Sequence, residues 1–62
     1  MLHLIIHGSN GFFHGTIYEE FSIDPVKRIV SVTVKDGVEF DYEEVRRVDV
    51  YFNEKLIETI SL

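Results

Sequence analysis

The segment Val30-Ser31-Val32-Thr33-Val34-Lys35-Asp36-Gly37-Val38-Glu39-Phe40-Asp41-Tyr42 constrains the fold more than any other stretch of the chain. Apolar and polar residues alternate on both sides of one turn signal, which is the pattern of two half-buried strands. That pattern also sets the turn length. A two-residue loop at Asp36-Gly37 would place Val34 opposite Glu39 and Thr33 opposite Phe40, mixing the two faces. A three-residue loop, Lys35-Asp36-Gly37, pairs Val34 with Val38, Val32 with Phe40 and Val30 with Tyr42. All the apolar side chains then share one face, and a one-residue slip would expose them. Loops of this length end in a residue with positive φ, which glycine adopts without a Cβ clash, and Gly37 stands there.

The same alternation predicts further strands. Leu2, Leu4 and Ile6 share one side of the first segment, and His3, Ile5 and His7 the other. Gly8-Ser9-Asn10-Gly11 is a turn cluster. A four-residue loop there pairs His7 with Phe12, Ile6 with Phe13, Leu4 with Gly15 and Leu2 with Ile17. Glu19 then falls on the core-facing parity, so a bend is predicted near Glu19-Glu20 before Phe21 and Ile23. Asp24 before Pro25 predicts a cap on a single helical turn. Beyond the Glu43-Glu44 connection, Val48, Val50 and Phe52 alternate inward. Asn53-Glu54 either turns a hairpin into a last strand or caps a short helix bearing Leu56, Ile57 and Ile60; nearness to the preceding strand favours the hairpin. The expectation is one all-β domain over residues 1–62, a small antiparallel meander of five or six strands. It would form an SH3-like barrel or a compact β-sandwich, with a short C-terminal helix as the variant. The closing stretch, with Asp36-Gly37, the acidic corner Tyr42-Glu43-Glu44-Val45 and an alternating strand, resembles small barrel proteins of phages and mobile elements over about a third of the chain. This likeness of turn chemistry assigns no family.

Composition narrows the functional classes. Sixty-two residues bury roughly 6,000 Å² on folding. The apolar part contributes about 90 kcal/mol, close to the cost of ordering the chain at about 1.5 kcal/mol per residue. A partner surface or a second copy would therefore add usefully to stability. There is no cysteine, so neither a disulfide nor a thiolate metal site is available. Eleven acidic against six basic residues give a net charge of −5, the wrong sign for binding phosphate backbones directly. No apolar run approaches the ~20 residues of a membrane span. The expectation is a cytoplasmic protein that contacts neither membrane nor nucleic acid.

Two groups of residues stand out. Pairing Tyr42 with Val48 would set Glu43 opposite Arg47, Asp41 opposite Asp49 and Glu39 opposite Tyr51. Glu39, Asp41, Glu43, Glu44, Asp49 and Tyr51 would then form a carboxylate patch suited to a basic protein surface, although opposed like charges cost some stability. The second surface comprises His3, Ile5, His7, Phe12 and His14 on the first hairpin. His3 and His7 lie roughly 13 Å apart along a strand, too far to share one metal ion. No metal site or cofactor is assigned. No nucleophile elbow surrounds Ser9, Ser22, Ser31 or Ser61, and Gly8-Ser9-Asn10-Gly11 lacks the Lys-Ser/Thr of a phosphate loop. A non-enzymatic module that binds a protein, self-associates, or both is the leading expectation. An inhibitor that imitates nucleic-acid charge, as some phage-encoded anti-defence proteins do, is the alternative, and weak metal binding through surface histidines comes third.

Overall fold

The computed structural model describes residues 2–62. Among these residues there are seven strands, not five or six, and no helix, so none is long and apolar enough to cross a membrane. The strands are β1 (Leu2–Gly8), β2 (Phe13–Ile17), β3 (Glu20–Asp24), β4 (Ile29–Thr33), β5 (Glu39–Tyr42), β6 (Val45–Phe52) and β7 (Lys55–Ser61). They form two antiparallel sheets, one of order β2-β1-β6-β7 and one of order β3-β4-β5. Between them lies a core of Leu4, Ile6, Val45, Val48 and Val50 from the larger sheet, Val30 and Val32 from the smaller, and Tyr18 from the connection.

The β4–β5 hairpin has the predicted register, with Val30 opposite Tyr42 and Val32 opposite Phe40. Its loop closes by Val34 N–H to Val38 O at 2.9 Å and Gly37 N–H to Val34 O at 2.9 Å, with Gly37 at φ +79°. Phe40 nevertheless remains 48% exposed, and Val38 and Phe52, also placed inward by parity, are as open. Their parity is right but their cover is missing. Phe40 lies on the edge strand of the smaller sheet, Phe52 at the end of β6 and Val38 just beyond the loop.

The first hairpin is one residue out of the expected register. His7 pairs with Phe13, Ile6 with His14, Leu4 with Thr16 and His3 with Ile17. The loop has three residues, Ser9-Asn10-Gly11, closed by Gly8 N–H to Phe12 O at 2.8 Å and Gly11 N–H to Gly8 O at 3.2 Å. Gly11 has φ +91°. Asn10-Gly11 therefore does here what Asp36-Gly37 does in the other hairpin. Phe12 turns inward over Gly8, and Phe13 turns to solvent.

The last segment is a strand, not a helix. Asn53 and Glu54 both take positive φ, 50° and 65°, the backbone of a two-residue hairpin turn that matches strand twist. Around Pro25, Asp24 Oδ1 accepts from Val26 N–H and Lys27 N–H, both at 3.1 Å, fixing a tight loop rather than a helical turn.

The chain changes sheets at two corners. Tyr18 N–H donates to Leu2 O of β1, while the next residue, Glu19, donates to Thr33 O at the end of β4. At the second corner Glu44 has φ 55°, its carbonyl accepts Ser9 N–H, and Val45 N–H donates to Arg28 O. After this corner β6 pairs with β1 and β7, not with β5. The expected Tyr42–Val48 pairing is thus incorrect. The left-handed Glu44 turns β6 across to β1, whose Leu4 and Ile6 match Val50 and Val48 in register.

Candidate functional site

The outer face of the four-stranded sheet can be read row by row from its registers. One row runs Phe13, His7, Arg47, Ser61; the next Gly15, Ile5, Asp49, Thr59; the third Ile17, His3, Tyr51, Leu56. At its centre the Asp49 carboxylate is largely buried, with a side-chain exposure of 14%. His7 Nε2 lies 2.8 Å from Asp49 Oδ2, and Thr59 Oγ1 donates to Oδ1 at 3.2 Å. Arg47 Nε approaches Oδ1 at 3.4 Å, close enough for an ion pair but poorly aligned for a hydrogen bond. The Arg47 guanidinium also reaches His7 Nε2, at 3.2 Å. These contacts join three strands through one carboxylate and compensate its charge where water is scarce.

Apolar and aromatic groups surround this cluster. Phe13 stacks beside His7 at 6.2 Å yet remains 69% exposed, and His3 lies 5.9 Å from the Tyr51 ring. Ile17 and Leu56 are each about half open. Ile57 is exposed at the β7 edge, where the β6–β7 register shifts. His3, Ile17, Asn53 and Glu54 line an open groove of about 460 Å³. Among the described residues no group of three or more His, Asp or Glu side chains gathers where one metal ion could sit.

The two residue sets expected from sequence are redistributed. His3, Ile5 and His7 do share the outer face of β1. Phe12 packs inward, and His14 lies on the opposite face, its ring 5.3 Å from Tyr42 of the smaller sheet. The one-residue difference in hairpin register is the cause. The carboxylate patch divides as well. Asp49 and Tyr51 belong to the face just described, whereas Glu39 and Asp41 lie on β5 of the other sheet, and Glu43 and Glu44 sit at the corner between. Asp41 is not opposite Asp49; it pairs with Ser31, whose hydroxyl donates to it at 2.7 Å. Sequence reasoning missed Phe13, Ile17, Arg47 and Leu56. The Asn10-Gly11 turn held the signal for the first two.

Charge is segregated between the halves. From Tyr18 to Glu44 there are eight acidic and three basic residues; the rest of the chain has three of each. The whole net charge of −5 therefore belongs to the three-stranded half and its corners. On the outer face of that sheet Glu20 and Glu39 flank Ser22, Ser31 and Thr33 around a groove of about 250 Å³. Neither acid has a cation within ion-pair distance among the described residues. Comparison with protein-family models, curated proteins and solved structures finds no match.

Proposed function

We propose that this chain is a non-enzymatic interaction module that binds protein through the outer face of its four-stranded sheet. One observation carries the reading. A charge-compensated His7–Asp49–Arg47 cluster lies at the centre of that face, ringed by exposed Phe13, Ile17 and Leu56. Protein interfaces commonly have a desolvated centre rich in aromatic residues and arginine. The Arg47 and Asp49 charges are already paired within the chain, which leaves the exposed apolar side chains Phe13, Ile17 and Leu56 as the groups this face offers a partner.

Immobilised wild-type chain and its Phe13→Glu variant, each checked for folding by circular dichroism, test this reading. Proteins retained by the wild type and lost by the variant are the expected result. An unchanged retained set would refute it.

The charge segregation favours a second reading, an acidic surface that meets a basic partner in the manner of a nucleic-acid mimic. Glu39 and Asp41 on the smaller sheet would carry it. Retention would then weaken steeply with salt and vanish on reversal of both charges, with Phe13→Glu having no effect.

A further inference from the structure

We infer that the occupant of the four-stranded face is a second copy of the chain, docked face to face about a two-fold axis, with both acidic layers turned outward. This rests on the reading of that face as a docking surface and names its partner. Charge decides between the two faces. Two chains of charge −5 repel, so the arrangement that separates their acids is favoured. Stacked sheets lie roughly 10 Å apart. Joining the neutral faces places the two acidic sheets about 30 Å apart, several Debye lengths of ~8 Å at physiological salt. Joining the three-stranded faces would instead oppose Glu20, Glu39 and Asp41 of each copy at about one sheet spacing.

One row of the face is also self-complementary. A two-fold axis parallel to the strands lays β2 of one copy over β7 of the other and β1 over β6. Ile17 then meets Leu56 of the second copy, and the His3–Tyr51 pair meets its own equivalent. The charges that would be buried, Arg47 and Asp49, are already paired within each chain.

Size sets the expected strength. Four strands about 4.8 Å apart and ladders of about six residues give a face of roughly 19 by 20 Å. With side-chain relief that corresponds to about 1,000–1,200 Å² of accessible surface for the pair, the lower limit of specific interfaces. A dissociation constant of about 10–500 µM is expected.

Sedimentation equilibrium of the full chain from about 10 µM to about 1 mM covers that range. The variants are Ile17→Glu, on the docking face, and Glu39→Lys, on the opposite one, each checked for folding. A reversible dimer, weakened at least about tenfold by Ile17→Glu, unaffected by Glu39→Lys and insensitive to salt, supports the inference. Isotope-filtered contacts between Ile17 methyls and Leu56 of the other copy would place the interface. A monomer at about 1 mM overturns it. So does a dimer that survives Ile17→Glu, or one strengthened by salt, which would point to screened acidic faces. If the chain is monomeric but its Phe13→Glu variant loses a retained protein, the docking-face reading stands and only the second copy falls.

Discussion

Adding one methyl group at Gly8 tests the packing that orients the first hairpin. Gly8 is buried opposite Phe12, and a Cβ there would overlap Phe12 Cε1, Cδ1 and Cζ, closer than the 3.0 Å that Cβ atoms essentially never breach. The backbone at Gly8 is otherwise ordinary, so the cost is displacement of the ring. A phenylalanine buries about 150–250 Å², and Phe12 is half-buried, so moving it exposes about 100 Å². At ~25 cal/mol per Å² that is about 2.5 kcal/mol. Alanine returns about 0.4–1 kcal/mol by restricting the unfolded chain, leaving a net loss of about 1.5–2 kcal/mol. A domain of this length has only about 3–9 kcal/mol in total. Urea denaturation should show the midpoint of Gly8→Ala falling by about 1.5–2 M if the slope is about 1 kcal/mol per M. Phe12→Ala should cost about 2 kcal/mol alone and remove the clash, so that the double variant is no less stable than Phe12→Ala. Additive losses, or a Gly8→Ala within about 0.5 kcal/mol of wild type, would refute the packing account.

Three other perturbations follow from local geometry. Glu54→Gly relieves a left-handed non-glycine residue at the β6–β7 turn and should add about 1 kcal/mol, seen as a thermal midpoint several degrees higher. Asp49→Asn removes the charge that holds Arg47 and His7 and should cost about 1–2 kcal/mol in urea denaturation, with the strands intact by circular dichroism. Burial raises the Tyr18 phenol above its ordinary 10.0, so the folded chain keeps a proton that the unfolded chain has lost above that pH. This contribution to stability is complete below pH 10.0 and disappears as pH rises through the folded value, so Tyr18→Phe should show a shallower alkaline loss of urea midpoint than wild type.

The strands were legible wherever a turn fixed their parity. The three-residue loop Lys35-Asp36-Gly37 sets the β4–β5 register to the residue. Asn10-Gly11 carried the same information, but consecutive Phe12 and Phe13 satisfied an apolar pattern in either register. Only the Gly8–Phe12 packing separates the two, and it requires knowing that Phe12 has a glycine across from it. That single residue of register moved His14 off the candidate face and brought Phe13 onto it. Sheet membership was less legible still. Val48 and Val50 match Tyr42 and Phe40 by parity as well as they match Ile6 and Leu4. Alternation records which side of a strand is apolar, not which neighbour it has. The choice lies in the backbone of Glu44, which no side-chain pattern reports.

The same corner explains why the charge became a property of faces. Along the sequence the acids are concentrated between Tyr18 and Glu44, and the two ends are balanced. Those limits coincide with the places where the chain changes sheets, at Tyr18-Glu19 and at Glu44-Val45. The balanced N-terminal and C-terminal segments are joined by the β1–β6 ladder into one sheet, and the acidic middle forms the other. Had β5 continued into a ladder with β6, Asp41 would oppose Asp49 and the acids would be spread over a single surface. A local turn at Glu44 thus converts an uneven distribution along the chain into one neutral, apolar-rimmed face and one acidic face. Asp49 follows the neutral strand, which is why this carboxylate has His7 and Arg47 as partners.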